Sequence, residues 1–510
     1  MQGGMPDARF LIPVWHEEPL LKSDLKYPAS AFPMSSPIKF GTSGWRGLIA
    51  RDFTFDNVRL ATQAIADYLN AERKNPESEV SKRKPVVILG CDTRFLGKEF
   101  CLAAAEVLEA NGFTPLVCNR PTPTPVIAHT IRHKKAIGGI NMTASHNPSE
   151  YQGLKFSTWN GAPATTDVTR PIEANVAKLE AKGWTFKAAV VGTYRCKEID
   201  PKPDYFKELH KFIDFATLKK AKLKVGVQLM YGTGAGYLDE LLKENGATVT
   251  VFNAQPDPMF GGHHPEPNAE GMEEVSALGR KGRIQLGLGL DCDADRFGVT
   301  DKSGTWLSPN QILALALYHL KKNRRWTGAV VRTVPTSHQV DGVAAMLGVT
   351  VHETPVGFKY IGALMESEPI IVGGEESGGL SVKGHVPEKD GILACLLMAE
   401  LVATEKKSLG QILKQIEKTT GPYFTDRINV KVAPERKQVI LDLLAKGLAK
   451  VGKFKVHQFI TTDGYKFLLP GGEWVAFRAS GTEPMIRCYI EAKSETNLKA
   501  LQTACRKVLA

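Results

Sequence analysis

The densest chemistry in this 510-residue chain lies in six consecutive residues, Asp291-Cys292-Asp293-Ala294-Asp295-Arg296. They directly follow an apolar run, residues 286–290, that reads as a buried strand. Three carboxylates at alternate positions just past a strand end can converge on one hard cation. An all-oxygen ligand set in a compact loop suits Mg²⁺. Open α/β sheets place their ligand sites outside the carboxyl ends of strands, so the position fits as well as the composition. An EF-hand loop opens similarly, but it requires Gly at its sixth position and Glu at its twelfth. Arg296 and Lys302 stand there, which excludes it. The alternative for the same residues is a solvated acidic turn with Arg296 as its counter-ion.

Three further loops carry reactive or ligand-binding side chains. Thr143-Ala144-Ser145-His146-Asn147-Pro148 follows a strand-like run, residues 136–142. Ser145 is a candidate nucleophile. No Gly-x-Ser-x-Gly elbow is present, and a histidine adjacent in sequence seldom points at its neighbour's hydroxyl, so a hydrolase triad is a poor fit. The same residues also fit a turn in which Ser145 and Asn147 bond the backbone. Gly373-Gly374-Glu375-Glu376-Ser377-Gly378-Gly379 offers acceptors and a donor for sugar hydroxyls on a backbone a ligand can approach closely, or simply a flexible turn. Arg478-Ala479-Ser480-Gly481-Thr482-Glu483-Pro484, with Arg487 nearby, combines arginine, two hydroxyls and successive backbone N–H groups. That set makes a phosphate cradle or a hairpin turn with a surface arginine; it is not a Walker P-loop. Gly232-Thr233-Gly234-Ala235-Gly236 misses the dinucleotide fingerprint, and His263-His264 reads as a loop feature.

The elements that must position these loops alternate between strands and helices. Thr54 can cap a helix with Val58, Ala61, Ile65 and Leu69 on one face. A strand over 86–89, a helix over 100–111 closed by Gly112, and a strand over 114–118 follow. The same order returns as strand 223–229, helix 237–245 closed by Gly246 and strand 248–252, and again as 329–334, 340–346 and 350–353. Such alternation implies right-handed crossovers and mainly parallel sheets. The tail differs: helix 439–448, short strands 466–469, 474–478 and 486–491, then helix 497–509. The expected fold is therefore α/β: three tandem similar α/β domains with mixed, mainly parallel sheets, plus a C-terminal α+β domain. The expected bounds are an N-terminal arm over 1–36, then domains over 37–200, 201–308, 309–420 and 421–510.

Composition narrows the partners. With 43% hydrophobic and 23% charged residues the chain is ordinary for a globular protein. The stretch 391–403 is the longest apolar one and contains Glu400, too short to span a bilayer, so no membrane association is expected. Asp7, Arg9, Glu17 and Glu18 near the N-terminus do not form a secretory signal. None of the eight cysteines forms a Cys-x-x-Cys pair, which favours reduced thiols and a cytoplasmic location. The net charge of +11 points to anionic partners. The basic runs 82–84 and 321–325 lack interleaved aromatic residues and read as helix ends, so small phosphorylated molecules are expected rather than nucleic acid.

Taken in order, the four loops resemble those of the α-D-phosphohexomutase superfamily, over a span from about Phe40 to the C-terminus. Members carry a phosphoserine loop, a metal loop, a sugar loop and a phosphate loop, one per domain. They open with a segment matched here by Gly41-Thr42-Ser43-Gly44-Trp45-Arg46-Gly47. Gly-Glu-Glu-Ser-Gly at 374–378 resembles the phosphoglucomutase branch, as does His385 to Lys389 followed by Asp390-Gly391. Relatives with Met or Gln at the Glu376 position look more like phosphomannomutase/phosphoglucomutase or phosphoglucosamine mutase. One departure is Gln152, in Tyr151-Gln152-Gly153-Leu154-Lys155, where the family usually has Asn.

The resemblance implies a mutase for glucose 1-phosphate and glucose 6-phosphate, with mannose or glucosamine phosphates as alternative substrates. A catalytically silent sugar-phosphate-binding protein and a metal-dependent phosphatase are the competing readings. It implies a phosphoryl group on Ser145, and Mg²⁺ held by Ser145, Asp291, Asp293 and Asp295. Arg296, Arg46, His385 and Lys389 would support transfer, with Lys155 as general base at a lowered pKa. Arg478, Ser480, Gly481, Thr482 and Arg487 would hold the non-reacting phosphate. Glu375, Ser377 and Lys359 would hold the sugar. Glucose 1,6-bisphosphate is the implied intermediate and activator, hexose phosphates are the implied partners, and the protein is expected as a monomer or homodimer.

Overall fold

The computed structural model describes residues 38–41, 44–189, 193–479 and 485–509. The expected arm over 1–36, the segment Thr42-Ser43, and Ser480, Gly481 and Thr482 of the expected phosphate loop lie outside the described residues. Three mixed sheets follow one another along the chain, and a fourth, antiparallel sheet closes it.

The first sheet has six strands. Its centre is Val86–Cys91, parallel to both Thr114–Cys118 and Gly138–Met142. Gly138–Met142 then turns back antiparallel as Tyr151–Thr158, and Trp45–Leu48 covers that edge. The second sheet repeats the scheme. Lys224–Gln228 is parallel to Thr248–Phe252 and to Leu286–Leu290, which returns antiparallel as Phe297–Asp301. In the third sheet Ala329–Thr333 is parallel to Val351–Thr354 and Ile370–Glu375, which returns as Gly379–Val382. The fold class is thus α/β with mixed, mainly parallel sheets in tandem. The tail sheet, in the order Phe424–Lys431, Met485–Ala492, Trp474–Ala479, Tyr465–Leu468, Gln458–Ile460, is antiparallel throughout, with the helix Glu495–Leu509 packed on it.

This repetition places the chemistry. In each α/β unit a parallel strand is followed by a hairpin that returns the chain antiparallel within the sheet; in the second unit a further short strand, Trp306–Leu307, turns back once more. The closing pairs of the three hairpins are Met142↔Leu154, Leu290↔Phe297 and Glu375↔Gly379. The serine loop, the aspartate loop and the Glu376-Ser377 loop are the tips of these three equivalent hairpins. Of the expected phosphate loop, Arg478 and Ala479 end the strand Trp474–Ala479, and Arg487 lies on its neighbour Met485–Ala492. An antiparallel return strand follows each of these three loops; the sequence pattern predicts the outgoing strand alone.

The apolar stretch around Glu400 forms the helix Gly391–Glu405, capped by Asp390, whose carboxylate accepts from Leu393 N. Residues from Gly391 through Ala403 are buried, so it is a core helix and not a surface one. It packs against the second sheet and against Gly379–Val382 of the third, joining their cores into one cluster. No described helix is long and apolar enough to cross a membrane.

Glu400 is the one charge on this helix's buried face, and it is fully partnered. Arg324 Nη1 donates to it at 2.6 Å, Asp214 N donates at 3.1 Å, and His319 Nε2 lies 3.2 Å away. Burial alone raises a carboxyl pKa, but His319 and Arg324 outweigh it and hold Glu400 below the ordinary glutamate value. Glu400→Ala is expected to lower the stability of the surrounding core by about 2–4 kcal/mol at neutral pH, because it strands buried donors. Because the folded-state pKa is depressed, that contribution is present above the unfolded glutamate pKa and is lost as pH falls through the folded value. Urea unfolding at pH 7 and at pH 3 checks both points. A penalty under about 0.5 kcal/mol at pH 7, or one that grows on acidification, contradicts the assignment.

Candidate active site

The serine loop is held by groups at the end of another strand. Asp92 and Arg94 follow Val86–Cys91 and are both buried. Arg94 donates to the carbonyl oxygens of Ser145 (2.6 Å), Asn147 (2.5 Å), Pro148 (2.6 Å) and Tyr151 (2.9 Å). Its Nε lies 3.2 Å from Asp92, which also accepts from Thr143 Oγ1 at 2.5 Å. Ser145 N in turn donates to Thr143 Oγ1 at 2.9 Å. This clamp holds Ser145 in the left-handed region, φ 52°, a conformation that L-residues other than Gly, Asn and Asp rarely adopt. Arg46, on Trp45–Leu48, donates to Asn147 Oδ1 at 2.6 Å. Burial, then the neighbouring Arg296, lowers the Arg46 pKa to about 10.

Ser145 meets the aspartate loop directly. Its Oγ donates to Asp291 Oδ2 at 2.9 Å, although 146 residues separate the two in sequence. Asp291, Asp293 and Asp295 are buried, and one oxygen from each lies within 4.8 Å of the others. Ala294 turns the loop tightly at φ 55°. Burial, and then the two neighbouring carboxylates, push Asp291 well above the usual carboxylate range. Burial acts the same way on Asp295, but Lys155, Lys389 and Arg296 overcome it and hold that group low. Asp293 Oδ1 and Asp295 Oδ1 are buried with no hydrogen-bond partner. Buried carboxylate oxygens rarely stay unpaired, so three converging carboxylates with two free oxygens fit a hard divalent cation such as Mg²⁺.

The structure corrects the expected state of Lys155. Its Nζ donates to Asp293 Oδ2 at 2.6 Å and to Asp295 Oδ2 at 2.9 Å. Burial opposes its charge, yet those two carboxylates outweigh burial, so its pKa is raised rather than lowered. Lys389 lies 3.3 Å from Asp295 and 2.9 Å from Glu388 and is likewise held protonated despite burial. Both lysines are therefore fixed cations. His146 is the opposite case: Arg296, then burial, then Arg46 keep its imidazole neutral, with Nδ1 3.5 Å from Ser145 Oγ.

Beyond Arg296 opens a cavity of about 370 Å³. Its walls include Glu266, Asn268 and Arg296 from the second unit, Glu376 and Ser377 from the third, and Arg427 and Tyr489 from the tail. Glu266 lies 3.4 Å from Arg296 Nη1, and Arg427 lies 3.8 Å from Glu376. Ser377 is where a sugar contact is expected. Glu375 is not on that wall. It is buried, and one of its oxygens accepts from Gly357 N at 2.9 Å, whereas Glu376 lines the wall. Arg478 and Arg487 sit directly opposite each other on neighbouring tail strands. Asp463 partners Arg478 at 2.9 Å.

Two expected site residues lie elsewhere. His385 Nε2 is 2.7 Å from Asp390 Oδ2, which also accepts from Tyr205 OH at 2.7 Å, and its ring packs edge-on to Phe212. It supports the start of the core helix and does not join the serine–aspartate cluster. Lys359 donates to Thr166 Oγ1 at 3.0 Å, bridging the third unit to the first. Conversely, Asp92, Arg94, Glu266 and Arg427 lie at the site without being among the residues the sequence points to. Asp92-Thr93-Arg94 was legible by the rule that flagged Asp291: charged residues just past a buried strand. The others sit in segments without a distinguishing pattern.

Comparison with known proteins agrees with this geometry. Family models described as phosphoglucomutase/phosphomannomutase alpha/beta/alpha domains I, II and III match residues 37–183, 203–304 and 308–419, and the C-terminal domain model matches 428–508. A phosphoglucomutase/phosphomannomutase from Thermococcus kodakarensis is 32% identical, covering 89% of this chain and 95% of the relative. A phosphoglucomutase from Komagataeibacter xylinus is 30% identical, covering 92% of this chain and 90% of the relative. Among solved structures, a Thermus thermophilus protein assigned as a phosphomannomutase superposes with a TM-score of 0.79 at 31% identity, covering 93% of this chain and all of that one. With four domain matches in sequence and relatives aligned over nearly their full lengths, the chain belongs to the phosphoglucomutase/phosphomannomutase family of the α-D-phosphohexomutase superfamily, a family of phosphate-transferring mutases.

Proposed function

We propose that this mutase interconverts glucose 1-phosphate and glucose 6-phosphate by passing a phosphoryl group between Ser145 and the sugar. The observation that carries the reading is the 2.9 Å hydrogen bond from Ser145 Oγ to Asp291, which also accepts from the backbone N of Arg296 at 3.0 Å, a residue of the cavity wall. Arg296 thus links the nucleophile and the carboxylate triad to the hollow. The serine oxygen gives up its phosphoryl group to a sugar hydroxyl and ends as a hydroxyl. The proton lost by the sugar balances the proton gained by serine. The product of this half-reaction is glucose 1,6-bisphosphate, which turns over in the cavity and returns its other phosphate to Ser145.

Asp291, Asp293 and Asp295 would hold Mg²⁺, which as a Lewis acid neutralises charge on the transferring phosphoryl group. The other groups are the chain's own. Arg94 and Thr143 fix the serine loop. Lys155 and Lys389 lie against the triad's carboxylates and offset their negative charge, and Arg296 extends that field into the cavity. Glu376 and Ser377 would accept and donate hydrogen bonds to ring hydroxyls. Arg478 and Arg487 stand opposite each other on neighbouring strands, and guanidinium groups suit bidentate recognition of a phosphate. They would hold the phosphate not being transferred, and that distant grip orients the reacting hydroxyl. The preference for glucose over mannose or glucosamine rests on Glu376.

A coupled assay from glucose 1-phosphate, with Mg²⁺ and a trace of glucose 1,6-bisphosphate, tests the reading. Mannose and glucosamine 1-phosphates run in parallel rank the sugars. Release of inorganic phosphate alone points to a phosphatase, and inertness with retained binding to a silent binding protein. Ser145→Ala is expected to cut turnover by on the order of 10³-fold or more with the fold retained. Residual turnover near wild type removes Ser145 from the chemistry. Arg478→Ala is expected to raise KM by about 10- to 100-fold with a smaller change in kcat, the loss of one charged hydrogen-bond donor. Unchanged kinetics place the phosphate elsewhere.

A further inference from the structure

We infer that Thr124, backed by Asn141, is a positioning residue that the first domain contributes to the aspartate triad of the second. The inference rests on the metal-binding reading of that triad and adds a residue to it. Thr124 opens the helix Thr124–Lys134, in the stretch Pro121-Thr122-Pro123-Thr124-Pro125. It is buried, and it grips Asp293 twice: Thr124 N donates to the Asp293 carbonyl at 2.9 Å, and Thr124 Oγ1 donates to Asp293 Oδ2 at 2.5 Å.

Asn141 decides the direction of that second bond. Its Nδ2 donates to Thr124 Oγ1 at 2.7 Å. A hydroxyl has one proton, so with a donor already on its lone pair its own proton points to Asp293. The chain Asn141→Thr124→Asp293 is therefore polarised toward the carboxylate. Asn141 lies on Gly138–Met142, the strand that runs into the serine loop, so one strand carries both Ser145's anchor and the support of Asp293.

The consequence is a fixed carboxylate. Thr124 and Lys155 both occupy Asp293 Oδ2, leaving Oδ1 buried and unpartnered. One oxygen is tied down and the other is presented. Outer hydrogen bonds of this kind orient carboxylate ligands, and their removal typically costs 10- to 100-fold in metal affinity. Because the grip crosses from one domain to the next, metal affinity also depends on the two domains staying docked at Thr124.

Isothermal titration of Mg²⁺ into the full chain tests the inference, with unfolding temperatures in chelator recorded for each variant. Thr124→Val is expected to weaken Mg²⁺ binding by about 10- to 100-fold. Thr124→Ser, which keeps the hydroxyl, is expected to restore affinity to within about threefold of wild type. Asn141→Ala leaves the hydroxyl unpolarised and is expected to weaken binding several-fold; it decides the matter if Thr124→Val does not fold. Wild-type affinity in Thr124→Val or Asn141→Ala overturns the inference while the triad remains a metal site. If the wild-type protein binds no Mg²⁺, or Asp293→Asn leaves binding unchanged, the metal reading falls and this inference with it.

Discussion

Three carboxylates buried at one seam set the terms for the rest of this structure. At an effective dielectric of about 20, two unit charges some 4 Å apart repel by roughly 4 kcal/mol, and the triad contains three such pairs. The cost is offset by cations brought from different parts of the chain. Lys155 comes from the first sheet, Lys389 from the segment leading into the core helix, and Arg296 from the loop itself. The charges that make the site reactive are thus also the charges that hold three domains against one another. Coulombic neutralisation here needs docking, and docking brings Ser145 to Asp291.

The second organising feature is repetition. Each of the three α/β units has an equivalent hairpin, and each of these hairpins carries one functional loop. A hairpin tip is a favourable place for such a loop. Its backbone is anchored on both sides by ladder hydrogen bonds, while the tip residues are free to take special conformations. Ser145 and Ala294 both use positive φ at these tips. Three loops distant in sequence can then converge if the domains pack with their hairpin ends inward, with the cavity between Arg296, Glu376 and Arg427 beside them.

Much of this was legible in the sequence, for identifiable reasons. The buried parallel strands were readable because runs such as 86–89 and 286–290 are apolar on both faces. The three aspartates were readable because their alternation at a strand end is rare and chemically pointed. The return strands were not. Tyr151–Thr158 carries Lys155 and Gln152 in buried positions, a polarity that the fold tolerates because Asp293 and Asp295 receive the lysine. The pKa of Lys155 was misjudged for the same reason: the neighbours that set it lie 138 and 140 residues away. The motif places His385 with the chemistry; in the structure its Nε2 meets Asp390 while its buried Nδ1 has no hydrogen-bond partner. Thr124 carries no signal in the sequence because its partner Asp293 lies in the next domain and meets it only when the two are docked.

The central claim is that Ser145 carries the phosphoryl group during turnover, and covalent trapping addresses it most directly. The full chain is incubated with glucose 1,6-bisphosphate labelled in its phosphates, then digested and mapped by mass spectrometry. The account predicts label on Ser145 alone, discharged when excess unlabelled glucose 6-phosphate is added. Label on another residue, label on Ser145 that substrate cannot remove, or label recovered only as inorganic phosphate contradicts it.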